Sequence, residues 1–69
     1  MRFTLTDLDA EFDTHFDSFK ALVNYLTELT NEDYNELSFL EVVQMTKQIC
    51  TLDFDISKIN PRYKLEVRE

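Results

Sequence analysis

Acidic residues occupy alternate positions near the start of the chain, at Asp7, Asp9, Glu11 and Asp13. Carboxylates at alternating positions are typical ligands of a calcium-binding loop, so this stretch is the first place to look for a metal site. Such a loop needs glycine at its sharp turn and a glutamate that closes it, but Phe12 and Ser18 stand at those positions. We therefore predict no metal site here.

The other residues with catalytic chemistry are isolated in the sequence. The only histidine, His15, forms neither a metal site nor a catalytic triad by itself, and we expect it at the edge of the core or exposed. The only cysteine, Cys50, shares a predicted helical face with apolar residues, which predicts a buried and unreactive thiol. The chain contains no glycine, which excludes phosphate-binding loops and nucleophile elbows. The sequence thus predicts no catalytic or cofactor site and a protein that is not an enzyme.

The composition is that of a small acidic domain. Its 69 residues suit a single domain, 1–69, and 43% hydrophobic residues can form a core without a metal or a disulfide. Fourteen acidic and seven basic side chains give a net charge of −7, which disfavours direct binding to nucleic acids or anionic membranes and favours basic protein partners. A core this small often gains from a partner, which leaves a homo-oligomer open. One cysteine and no signal-like or spanning apolar segment predict a cytoplasmic protein.

A strand and a long helix are predicted for the first half of the chain. Arg2 to Leu5 alternates polar and apolar residues, and Thr6 is a good helix N-cap. Apolar residues then recur every three or four positions, which predicts a helix from Thr6 to Thr30; they are Leu8, Phe12, Phe16, Phe19, Val23, Leu26 and Leu29. Weak helix formers near Thr14 leave two successive helices open. A strand over the acidic stretch is less favoured, because it needs a bulge to keep one core face.

A second helix and two strands are predicted for the other half. Ser38 and Glu41 match a capping box, and a helix from Phe39 to Cys50 has one apolar face, with Leu40 on its polar side. Residues 51–56 and 62–69 alternate apolar and polar residues and are predicted strands. The order predicts an α+β fold with two main amphipathic helices packed on a small antiparallel sheet; the alternative is a mostly α fold with a C-terminal β-hairpin.

Some residues are expected to end helices or strands, and others could form an interaction surface. Without glycine, Asn31 and Asn60 are the expected left-handed residues that end elements. Tyr25, Tyr34 and Leu40 fall on polar faces or in the connection between the helices, and would form an interaction patch if they lie together.

Three aspartates are the remaining candidate residues for binding a partner, and together they form a predicted acidic row. On the predicted long helix, Asp9, Asp13 and Asp17 are successive i, i+4 neighbours, which indicates either a solvated face or a face that binds a basic surface. We therefore expect a non-enzymatic protein-interaction or regulatory module that binds a protein partner or itself. The alternative is an acidic mimic of DNA or RNA, because the row rises about 6 Å per step.

Overall fold

The computed structural model describes residues 1–31 and 36–68. In this part of the chain, a three-stranded antiparallel sheet packs against two helices. The elements in chain order are β1 (Arg2–Asp7), β2 (Phe12–Phe16), α1 (Phe19–Glu28), α2 (Phe39–Cys50), a 3₁₀ turn (Ile56–Lys58) and β3 (Tyr63–Arg68). The central strand is β1, which pairs antiparallel with β2 on one side and with β3 on the other. The α+β fold with two helices on a small antiparallel sheet is therefore confirmed.

The predicted helix from Thr6 to Thr30 is confirmed only over α1 and is wrong before it, because β1 continues to Asp7, the chain reverses, and β2 follows before α1 begins. The Asp7 carboxylate accepts hydrogen bonds from the backbone N–H groups of Asp9 at 3.1 Å and Ala10 at 3.2 Å, which fixes the start of the reversal. Glu11 follows in the left-handed conformation, with φ of 53°. Since a turn separates the strands, each strand has its own alternation of residues between the two faces of the sheet. No bulge is therefore needed to keep a single core face.

The core lies between the inner face of the sheet and the two helices. Leu5 on β1 faces Leu65 on β3, and Phe3 faces Phe16 on β2. The buried apolar residues are Phe3, Leu5, Leu22, Leu26, Leu29, Leu37, Val42, Met45, Ile49, Ile56, Tyr63 and Leu65. Phe12 and Phe19, expected on the core face of one helix, are 61% and 36% exposed.

The helix α2 begins where the sequence predicts. Ser38 Oγ accepts from the Glu41 backbone N–H at 3.1 Å, and Glu41 Oε1 accepts from the Ser38 N–H at 3.0 Å, which is a complete capping box. Leu40 is exposed, as expected, but so are Phe39 and Cys50. These two residues are the first and last of α2, beyond the segment whose apolar side chains reach the core, so the prediction of a buried Cys50 is wrong.

The chain after α2 does not form the predicted strand over 51–56. The Leu52 N–H donates to the Ile49 carbonyl at 2.9 Å and the Asp53 N–H to the Gln48 carbonyl at 3.1 Å, the two bonds of a Schellman motif. Leu52 is left-handed, with φ of 64°. Ile56, in the 3₁₀ turn that follows, is buried. The strand β3 pairs with β1, and not with the predicted strand over 51–56.

The left-handed positions of the described chain are therefore Glu11 and Leu52, and the expectation for Asn31 and Asn60 is wrong. Neither described helix is long and apolar enough to cross a membrane.

Candidate functional site

The three aspartates of the predicted acidic row lie on different structural features. Asp9 is in the turn between β1 and β2, Asp13 is on β2, and Asp17 follows β2. The helical row on which nucleic-acid mimicry depended is thus absent. Each aspartate has its own neighbour: Asp9 lies 3.8 Å from Arg62, Asp13 accepts a hydrogen bond from Thr6 at 2.7 Å, and Asp17 lies 3.9 Å from Arg2.

Of the aromatic and apolar candidates, the two that the structure describes, Tyr25 and Leu40, are on different helices. Tyr25 is half-buried on α1 and packs against Phe16, with ring centres 5.2 Å apart. Leu40 is 64% exposed in the first turn of α2. Tyr34 lies outside the described residues. Tyr25 therefore contributes to the margin of the core, and Leu40 remains an exposed candidate for contact with a partner.

A polar cluster that the sequence did not predict joins β1 to the start of β3. Arg62 donates from Nε and a terminal nitrogen to the two oxygens of Asp7, at 3.0 and 2.8 Å. This bidentate pair lowers the pKa of Asp7 below its usual value, although burial acts in the opposite direction. The hydrogen bond from Arg62 holds Asp7 ionised and fixes the turn that follows β1.

Tyr63 and Glu36 extend this cluster towards the helices. The Tyr63 hydroxyl donates to Glu36 Oε2 at 3.2 Å, and the Arg62 guanidinium lies 5.5 Å from the centre of the Tyr63 ring. Burial raises the pKa of the Tyr63 phenol well above its usual value. Asp7 thus stays ionised and Tyr63 stays protonated near neutral pH, which suits a fixed structural network and not proton transfer.

His15 lies exposed on the outer face of the sheet, where its Nδ1 is 3.0 Å from the Thr4 hydroxyl oxygen. Among residues 1–31 and 36–68, no three His, Cys, Asp or Glu side chains come together in a way that could hold a metal ion.

An apolar groove lies where the start of α1 meets the end of α2. The buried side chains of Phe3 and Ile49 form its base, and its margins are formed by Met1, Phe19, Cys50, Leu52 and Phe54. Its volume is about 230 Å³. Small-molecule sites usually enclose roughly 300 to 1,000 Å³, so this groove is smaller than a typical small-molecule site.

Leu52 is 68% exposed at the margin of the groove, and its backbone is left-handed. The position after a helix that ends in a Schellman motif is usually glycine, because a Cβ atom there costs about 1 kcal/mol. Leu52 also gains little from burial. Folding by itself therefore favours a smaller residue here than the leucine that is present.

The groove could not be predicted from the sequence, because its residues come from separate segments of the chain. Met1, Phe19 and Leu52 meet only after β1, α1 and α2 have packed together. One local signal was available: an apolar residue follows a predicted helix end in a chain with no glycine. Comparisons with protein-family models, with curated proteins and with solved structures found no match to this chain.

Proposed function

We propose that this protein is a non-enzymatic interaction module that binds a basic protein partner, and that the apolar groove receives an apolar side chain of that partner. Leu52 provides the main support. A leucine is 68% exposed in a backbone conformation that favours glycine, at the margin of a groove with a buried apolar base. Contact with another protein explains this leucine, whereas folding does not.

The chemistry of the partner follows from charge and from the size of the groove. The net charge of −7 attracts basic proteins over a distance and accelerates their encounter with the acidic surface. Desolvated apolar anchors at the centre of an interface contribute most of its affinity. The partner is therefore a protein whose basic surface presents an exposed apolar anchor.

Replacing Leu52 with glycine separates binding from folding. Leu52→Gly should leave the free energy of unfolding unchanged or raise it by up to about 1 kcal/mol, because glycine adopts the left-handed conformation without a Cβ clash. The same change should weaken partner binding by about tenfold or more, because it removes an apolar contact. Urea denaturation measures the first effect, and affinity capture from a lysate of the source organism, followed by titration with the purified partner, measures the second.

Leu40→Ala is the comparison variant, because Leu40 is 64% exposed in the first turn of α2, a similar exposure to that of Leu52, but does not line the groove. Proteins retained by the wild type and by Leu40→Ala but lost from Leu52→Gly support the proposal. The purified partner should also slow labelling of Cys50 by a thiol reagent, since Cys50 lies at the margin of the groove. The proposal is wrong if all three proteins bind equally, or if Leu40→Ala alone loses the partner.

A further inference from the structure

The edge strand β2 has a sequence that is chemically similar in both directions. Its five residues are Phe12, Asp13, Thr14, His15 and Phe16. An aromatic residue stands at each end, an acid and a base flank the centre, and a threonine is the central residue. A strand with this pattern complements a second copy of itself when the two run antiparallel.

The outer edge of β2 is open to such pairing. Within the described chain, the backbone hydrogen bonds of β2 to another strand go to β1, and β1 lies on one side of it only. Exposed edges are usually protected by lysine, proline or a bulge, and β2 contains neither lysine nor proline. Phe12, on this edge strand, is 61% exposed.

We propose that two copies of this chain pair β2 with β2 in an antiparallel, two-fold symmetric dimer centred on Thr14. This arrangement joins the two three-stranded sheets into one sheet of six strands. It places the same surface of each subunit against the other, as closed dimers require. Main-chain hydrogen bonds along the edge supply the association, and the side chains determine the register.

Each cross-strand pair in this register is a favourable one. Thr14 faces Thr14 of the partner subunit, and Asp13 faces His15 of the partner subunit, so that the two-fold axis creates two acid–base pairs. Phe12 faces Phe16 of the partner subunit, which covers the exposed ring. Threonine pairs and aromatic pairs stabilise antiparallel strands, and a carboxylate opposite an imidazole can accept a hydrogen bond from its N–H group.

Other registers lose this complementarity. A dimer centred on Asp13 places two aspartates opposite each other, and a dimer centred on His15 places two histidines together. Two aspartates directly opposite each other destabilise a sheet, and in both of these registers Asp13 no longer faces His15 of the partner subunit. The contacts of Asp13 with Thr6 and of His15 with Thr4 keep both side chains on the outer face, where they meet the partner subunit. The sequence of β2 thus selects the register centred on Thr14.

The dimer is independent of the partner proposed above, because no residue of β2 lines the apolar groove. Each subunit keeps its groove, so a dimer presents two of them. Failure of one proposal therefore leaves the other intact. A five-residue strand pair is a short interface, so we expect a weak dimer whose population depends on concentration.

Charge exchange between positions 13 and 15 tests the dimer. Asp13→Lys places lysine opposite His15 of the partner subunit, and His15→Asp places aspartate opposite Asp13 of the partner subunit. Each variant alone should raise the dimer dissociation constant by roughly tenfold or more, measured by sedimentation equilibrium. Both substituted side chains are exposed, and circular dichroism checks that each variant folds.

An equimolar mixture of the two variants provides the decisive result. In a mixed dimer, the lysine of the Asp13→Lys chain faces the aspartate of the His15→Asp chain, and the unchanged His15 faces the unchanged Asp13. Both cross-strand pairs become attractive again, so the mixture should form a heterodimer about as stable as the wild-type dimer. The double variant Asp13→Lys with His15→Asp should likewise form a dimer.

Gln44→Lys is the control for charge alone, because it adds a positive charge at an exposed position of α2 away from β2. It should not weaken the dimer. The two test variants also change the net charge in opposite directions, so a shared loss of the dimer reports the local pairs. A wild-type protein that stays monomeric at millimolar concentration overturns the proposal, as does a dimer that both single variants leave unchanged.

Discussion

At the scale of single residues, Asp7 and Arg62 form the shortest ion pair among the described residues, at 2.8 Å. Its side chains are only 16% and 30% exposed, and both carboxylate oxygens of Asp7 accept a hydrogen bond from Arg62. The exposed pair of Arg2 and Asp17, at 3.9 Å and with side chains 83% and 97% exposed, is of the kind that contributes little to stability. Asp7 is therefore expected to contribute to the dependence of stability on acidic pH.

We expect Asp7 to contribute to acid unfolding. Its pKa in the folded protein is lowered from 3.8 by the Arg62 hydrogen bond, so the unfolded chain binds the proton more tightly than the folded chain. The contribution of Asp7 is therefore complete above the unfolded pKa and is lost as the pH falls through the folded pKa. Asp7→Asn should lower the free energy of unfolding at pH 7, and its difference from the wild type should shrink as the pH falls below 3.8.

Urea denaturation at a series of pH values measures this difference. Asparagine retains an oxygen for the N–H groups of Asp9 and Ala10, so the variant removes the charge and spares the turn. Asp9→Asn is the control, because Asp9 is 75% exposed and lies 3.8 Å from Arg62. A difference between Asp7→Asn and wild type that stays constant from pH 7 to strongly acidic pH contradicts the assignment.

At the scale of elements, α2 could be predicted because residues close in sequence determine its start. Ser38 and Glu41 form the capping box within one helical turn, and the alternation of Tyr63, Leu65 and Val67 similarly indicates β3. Neither prediction needs knowledge of the rest of the fold.

The region before α1 could not be predicted in the same way. Phe12, Phe16 and Phe19 fit one helical face, but Phe12 and Phe16 fit one face of a strand equally well. The deciding contacts are distant in sequence: β1 pairs with β2 across the turn, and Arg62 holds Asp7 from the far end of the chain. The apolar groove was unpredictable for the same reason, since its residues meet only in the folded chain.

Alanine substitutions on α1 test which face of this helix is buried, that is, the helical phase that the structure gives it. Leu26 is fully buried, whereas Phe19 is 36% exposed. Leu26→Ala should therefore lower the free energy of unfolding by about 2 to 5 kcal/mol through lost burial and a residual cavity. Phe19→Ala should cost clearly less, although phenylalanine is the larger side chain. Urea denaturation compares the two, and an equal or larger cost at Phe19 would contradict the phase of α1.

At the scale of the whole molecule, the net charge of −7 acts in opposite directions on the two proposed associations. Two copies of the chain repel each other at long range, although the Asp13 and His15 pairs attract at contact. A basic partner is attracted at long range. Dissolved salt screens long-range interactions first, since the Debye length falls from about 30 Å at 0.01 M to about 8 Å at 0.15 M ionic strength.

We therefore expect opposite responses to salt. Raising the ionic strength from about 0.01 to 0.15 M should tighten the β2 dimer, because it screens the repulsion between subunits more than the contact pairs. The same change should slow association with the basic partner, because steering by the acidic surface is lost. Sedimentation equilibrium and stopped-flow mixing measure the two effects. Gln44→Lys lowers the net negative charge, so both responses should be smaller in that variant. A dimer that weakens steadily as salt is added would contradict this expectation, because it would show that the local pairs of Asp13 and His15 outweigh the net repulsion between the subunits.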